Sequence, residues 1–176
     1  PIRAVLFDMD GVMVDSEFVY MKYLLEFAKE KNPAVTMEDI NQMVGRSRQD
    51  SWTVMERAVN NGETWETLIK EWAERDIYSR IDYRKIFRPE MKTTVQELKR
   101  RGYTVALVSS TGPKLISRIV EEVGMRPEFD LIVSGKQFKQ SKPNPEIYHY
   151  TADTLGIRED ECFVVEDSTV GIEAAY

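Results

Sequence analysis

Apolar residues follow two rhythms along this chain. Ala4-Val5-Leu6-Phe7, Tyr103-Thr104-Val105-Ala106-Leu107-Val108, Leu131-Ile132-Val133 and Phe163-Val164-Val165 are short, nearly unbroken apolar runs. Runs of this length read as strands buried on both faces. Between them the spacing is helical. From Ser16 to about Lys31, residues Phe18, Met21, Leu24, Leu25 and Ala28 share one face, and Pro33 stops the helix. Thr36 can cap a helix carrying Met37, Ile40 and Met43 that ends at Gly45, and further helices are expected near 49–59 and 64–77. Pro89 opens a helix closed by Gly102, and Pro113 opens one ending near Gly124. Residues 143–155 form another, stopped by Gly156, and a last helix begins near Thr169. Strands alternating with helices predict an α/β fold with a doubly wound parallel sheet, because parallel neighbours need crossover connections that cover both faces. Residues 16–83 carry helix after helix and no strand signal. They are expected to form an inserted all-helical domain, with 1–15 and 84–176 making the α/β core.

In such a sheet the C-terminal strand ends share one edge, where ligands bind. Asp8, Ser109 and Glu166-Asp167 each directly follow an apolar run. Polar residues far apart in sequence should therefore converge on one crevice. A carboxylate such as Asp8 can attack phosphorus and form an acyl phosphate. A second one, Asp10, can protonate the leaving oxygen and later deprotonate water. Glu166 and Asp167 add negative charge that calls for a cation, and an oxygen-only donor set suits Mg²⁺. Ser109 can donate to a phosphoryl oxygen, and Lys142 can supply positive charge beside the metal.

Each segment alone has a plainer reading. Asp8-Met9-Asp10 is a common turn pattern, and Ser109-Ser110-Thr111 before Gly112-Pro113 is a ready helix cap. Lys142 is by default a solvated loop lysine, and Glu166-Asp167-Ser168 an acidic helix start. The conjunction favours chemistry, since the segments occur in order and all but the lysine directly follow a strand.

Net charge and cysteine usage narrow the partners. A formal charge of −6 opposes non-specific binding to nucleic acid or phospholipid, while a local Arg/Lys pocket can still hold a small anionic substrate. Cys162 is the only cysteine, so no intrachain disulfide forms and a reducing cytoplasm is the expected location. No leader pattern precedes the first strand, and no apolar run approaches the roughly 18 residues of a membrane span. His149 falls at a surface or lightly packed helix position without a catalytic role, and Cys162 reads as a small core residue opening a buried strand. Trp52, Trp65 and Trp72 read first as packing residues of the helical block, the alternative being that one of them lines the specificity pocket.

Asp8-Met9-Asp10-Gly11-Val12, Ser109 after Val105–Val108, Lys142-Pro143 and Glu166-Asp167-Ser168-Thr169-Val170-Gly171-Ile172 resemble the four motifs of the haloacid dehalogenase superfamily. The resemblance spans essentially the whole chain. The helical block is similar to the cap of the branch containing beta-phosphoglucomutase and phosphoglycolate phosphatase-like enzymes, and Val12–Glu17 matches the start of that cap. The resemblance implies a Rossmann-like core, Asp8 as nucleophile, Asp10 as acid/base, and Ser109 and Lys142 at the phosphoryl group. Mg²⁺ would be held by Asp8, the main-chain oxygen of Asp10, and the pair Glu166 and Asp167. It also implies a cis bond at Lys142-Pro143. Gly45-Arg46-Ser47-Arg48 resembles the cap loop that reaches over the core, with Arg48 matching a phosphate-binding arginine. Substrate contacts are accordingly expected from Arg46, Arg48, Ser110 and Glu17, and the alternative for the arginines is an exposed basic turn.

The expected function is Mg²⁺-dependent hydrolysis of a small phosphorylated metabolite. A phosphomutase and a non-catalytic binding protein of the same fold are the alternatives. The branch's mutases carry a cap histidine and a cap-loop lysine where this chain has Tyr20 and Val44, which favours water as acceptor. The chain stops at Tyr176, soon after the fourth motif, where relatives usually continue. A truncated core is expected, as a monomer unless an exposed sheet edge promotes association.

Overall fold

The computed structural model describes residues 1–176. Strands β1 (Ala4–Phe7), β2 (Thr104–Ser109), β3 (Leu131–Ser134) and β4 (Cys162–Val165) form one parallel sheet in the order β3-β2-β1-β4. The helices are α1 (Ser16–Lys31), α2 (Met37–Asn41), α3 (Arg48–Val59), α4 (Trp65–Glu74), α5 (Ile77–Arg80), α6 (Tyr83–Ile86), α7 (Pro89–Arg100), α8 (Pro113–Glu122), α9 (Glu146–Leu155) and α10 (Thr169–Ala175). The chain divides into two compact units, Pro1–Ser16 with Asp82–Tyr176, and Glu17–Ile81.

In the first unit, alternate strand residues serve opposite faces of the sheet. Ala4, Leu6, Ala106, Val108 and Val133 pack with Ile147 and Tyr148 of α9 and Ala174 of α10. Helices α7 and α8 pack against β2 and β3 respectively. The two segments through which the chain leaves and re-enters this unit run side by side. Val14 bridges Phe87, Asp15 N–H donates to the Ile86 carbonyl at 2.9 Å, and Arg88 N–H donates to the Met13 carbonyl at 3.0 Å.

The second unit is entirely helical. Each polar N-cap does local work: Thr36 and Asp39 form a reciprocal capping box on α2, Ser47 caps α3, and Thr64 caps α4. An aromatic cluster joins the helices. Phe27 meets Trp52 and Trp72 edge-on at 6.2 and 5.5 Å, while Tyr20 meets Trp72 edge-on and stacks on Tyr78. Lys31 pairs with Glu63 and Glu71 beside this core, and Arg75 pairs with Glu30.

Several boundaries differ from those expected. The helix expected over 64–77 breaks at Asp76, whose φ of 46° is left-handed, and α5 follows as a separate turn. Helix α2 ends at Asn41, short of Met43 and Gly45. Helix α9 begins at Glu146 because Pro143 and Pro145 lie in the preceding turn; the Lys142–Pro143 bond is cis. Helix α6 carries too short an apolar pattern to be read from sequence. Cys162 is partly exposed and Phe163 is 56% exposed. The fully buried strand expected there is instead an end strand, with β1 as its only sheet neighbour. No helix is long and apolar enough to cross a membrane.

Candidate active site

Parallel register sets the site. Phe7 pairs with Leu107 on one side and Val165 on the other. The next residues, Asp8 and Glu166, therefore leave the sheet side by side, and Asp8 N–H donates to the Val165 carbonyl at 3.0 Å. Carboxylate oxygens of Asp8, Glu166 and Asp167 lie within 4.8 Å of one another. Lys142 closes the group. Its Nζ donates to Asp8 Oδ1 at 3.3 Å, to Glu166 Oε1 at 2.5 Å and to the Val108 carbonyl at 3.3 Å. The side chains of Lys142 and Glu166 are only 5% and 2% exposed, so these charges interact with little screening from water. Tyr148 supports them from α9: its hydroxyl donates to Glu166 Oε1 at 3.1 Å, and its ring lies 5.1 Å from Lys142 Nζ.

Burial pushes the Asp8 carboxyl up to about 7; Lys142 opposes this and the Glu166 charge adds to it. Asp167 is raised by burial and by Glu166, and Tyr148 by burial and by the charges of Glu166 and Asp8. Carboxylates whose charged forms are disfavoured by burial and by one another form a set that a hard divalent cation would satisfy through oxygen donors. The donors Asp8, Glu166 and Asp167 fit such an ion. The Asp10 carboxylate lies outside this cluster.

Two glycines make the approach of these carboxylates geometrically feasible. Gly11 has φ of 80°, and a Cβ there would sit 1.7 Å from Asp167 Oδ2. A Cβ on Gly171 would lie 2.0 Å from the Glu166 carboxylate. The glycines of the first and last motifs thus leave room for the acids of the last.

Asp10 is held by hydroxyls. Ser16 Oγ donates to its Oδ1 at 2.5 Å and Thr111 Oγ1 to its Oδ2 at 3.1 Å. Ser109, the last residue of β2, is fully buried, and its Oγ accepts from Thr111 N–H at 3.1 Å. Ser110 is exposed. The cap of α8 is Gly112, without a side-chain hydrogen bond, so the Ser109–Thr111 segment does not serve as the helix cap its sequence suggests. Ser168 does cap α10, accepting from Gly171 N–H.

The residues expected in the helical unit divide. Glu17 and Arg48 line one open cavity of about 330 Å³ with Tyr20, Met21, Val44 and Trp52. Arg46 is absent from that lining, and its Nε donates to the Gln42 carbonyl at 2.6 Å. His149 is exposed and paired with Glu159. Sequence reading missed Ser16, Thr111, Ser134 and Tyr148. Thr111 alone carried a signal, as a hydroxyl on the loop after a strand.

This chain belongs to the haloacid dehalogenase-like hydrolase family, whose sequence profile matches residues 5–176. It is 26% identical over 176 residues to a phosphorylated carbohydrates phosphatase of Thermotoga maritima, covering 99% of this chain and 80% of that protein. It is 27% identical over 180 residues to a phosphoglycolate phosphatase of Photorhabdus laumondii, covering 99% and 76%. Among solved structures, CbbY of Rhodobacter sphaeroides bound to xylulose-(1,5)bisphosphate shares the fold at a TM-score of 0.70 and 21% identity, covering 99% of this chain and 82% of that one.

Proposed function

We propose that this chain is a Mg²⁺-dependent phosphatase acting on a small phosphorylated metabolite, a sugar phosphate or similar, through an aspartyl-phosphate intermediate. The convergence of Asp8, Glu166 and Asp167 around the buried Lys142 ammonium carries this reading. The names of the relatives, a phosphorylated carbohydrates phosphatase and a phosphoglycolate phosphatase, agree with it.

Asp8, the Asp10 main-chain oxygen, Glu166 and Asp167 would hold Mg²⁺. When bound, the ion would neutralise charge on the phosphoryl oxygens and let an anionic substrate approach the acidic edge. In the first half-reaction an Asp8 carboxylate oxygen attacks phosphorus, the phosphorus–ester oxygen bond breaks, and Asp10 gives its proton to the departing oxygen. In the second, Asp10 takes a proton from water as that water attacks phosphorus. The bond from phosphorus to Asp8 then breaks, releasing phosphate and restoring the carboxylate. Lys142 orients Asp8 and stabilises the transferring group. Ser109 Oγ accepts from Thr111 N–H and so keeps its own O–H for a phosphoryl oxygen. The working form is a monomer located in the cytoplasm.

The test is hydrolysis of a panel of phosphate esters with Mg²⁺ and with chelator. Activity is expected only with the metal, and Asp8→Asn should abolish it without unfolding the protein. Turnover by Asp8→Asn at the unaltered rate would sink the mechanism. Glucose 1-phosphate with a trace of the 1,6-bisphosphate separates the acceptors: free phosphate is expected, and rapid conversion to glucose 6-phosphate would make the protein a mutase.

A further inference from the structure

The Asp10 carboxylate lies outside the Asp8–Glu166–Asp167 cluster, yet both its oxygens are occupied by hydroxyl donors. One donor, Thr111, is itself held at every polar point. Its N–H donates to Ser109 Oγ at 3.1 Å, its carbonyl accepts from Ser134 Oγ at 2.6 Å, and its hydroxyl donates to Asp10 Oδ2 at 3.1 Å. Ser109 and Ser134 are paired residues at the ends of β2 and β3, and they are 0% and 8% exposed. A threonine that turns away from its own helix terminus to serve a distant carboxylate needs such a frame. Left alone, its hydroxyl would find a local backbone partner.

Resting on the proposed acid/base role of Asp10, we propose that Thr111 is a positioning residue for that carboxylate, and that Ser134 acts through Thr111. The end of β3, which contributes nothing to the carboxylate cluster, is thereby tied to the proton-transfer step. A donor on Oδ2 fixes the carboxylate's torsion, so that its other oxygen and the Ser16 contact face consistent directions. Proton transfer depends steeply on such alignment, and a misplacement of about 1 Å can cost about 100-fold in rate.

The experiment compares Thr111→Val, Thr111→Ser and Ser134→Ala with the unaltered chain in Mg²⁺. An alkyl phosphate that the unaltered chain hydrolyses is the first substrate and p-nitrophenyl phosphate the second. On the alkyl phosphate Thr111→Val should lower kcat about 10- to 100-fold with KM within about 2-fold, and Ser134→Ala should lower it about 3- to 10-fold. Thr111→Ser, which keeps the hydroxyl, should stay within about 3-fold. Nitrophenolate leaves without a proton. Its release in a single turnover should therefore be unchanged in Thr111→Val, while the later appearance of inorganic phosphate slows. A crystal structure of Thr111→Val should show the Asp10 carboxylate rotated. Unaltered kcat in a folded Thr111→Val, or a loss in Thr111→Ser as large as in Thr111→Val, would overturn the proposal. If Thr111→Val does not fold, full activity in Ser134→Ala would overturn it. Ester hydrolysis by the unaltered chain separates these failures from failure of the phosphatase reading, which would remove both.

Discussion

Asp8 occupies a position a carboxylate would not choose for stability. It is 8% exposed and lies beside Glu166, and Lys142 only partly offsets the cost. Its folded pKa of about 7 exceeds the ordinary aspartate value of 3.8, so between those pH values the metal-free native state holds a proton that the unfolded chain has released. Stability then falls as pH rises from about 4 to about 7, because the native state binds more protons than the unfolded state throughout that window. Asp8→Asn removes the titrating group. In metal-free protein this substitution should raise the melting temperature at pH 8 and change it little near pH 4. Equal changes at both pH values, measured by thermal unfolding, would contradict the burial argument. Asp8 itself was legible in the sequence because it ends an apolar run. Its partner Tyr148 was not, because a tyrosine inside a helix gives no sign of which distant carboxylate its hydroxyl will meet.

The helices of the second unit were largely legible from spacing and caps, and α1 and α3 fall close to the expected ranges. Their interior required the fold. Arg48 and Glu17 sit on different helices, and only packing brings them to one cavity with Tyr20 and Val44. Arg46, two residues from Arg48, is turned to the Gln42 carbonyl. Two arginines flanking the N-cap of α3 thus divide between backbone and cavity, which residue type alone cannot indicate. Arg48 makes no ion pair with the protein and is suited to a ligand anion. Arg48→Ala should raise KM about 10-fold or more for a metabolite whose far end carries an anion, and should leave p-nitrophenyl phosphate nearly unaffected. Equal losses on both substrates would assign Arg48 a structural role. Steady-state kinetics on the two esters decide between these outcomes.

Across the whole molecule, the carboxylates come from loops following β1 and β4, more than 150 residues apart in the chain. A cation bridging them binds the folded state and has no comparable site on the unfolded chain. Mg²⁺ at 100 times its Kd should stabilise the protein by about 2.7 kcal/mol, a rise of roughly 5–10 °C in melting temperature for a chain of this size. Asp167→Asn should remove most of that rise. An unchanged Mg²⁺ response in this variant, followed calorimetrically, would take Asp167 out of the metal site.

The alternation of apolar runs with helical spacing determined the α/β class by itself, since short β-branched runs separated by helices admit few arrangements other than a parallel sheet. The polar residues closing those runs likewise marked the acids and the edge on which they meet. Tertiary structure alone decided the register that sets Asp8 beside Glu166, the end position that leaves Phe163 exposed, and the hydroxyl frame from Ser134 through Thr111 to Asp10. The reason is physical. Periodicity records whether a side chain is buried, which is a property of one element. Hydrogen-bond partners and neighbouring charges depend on how separate elements meet.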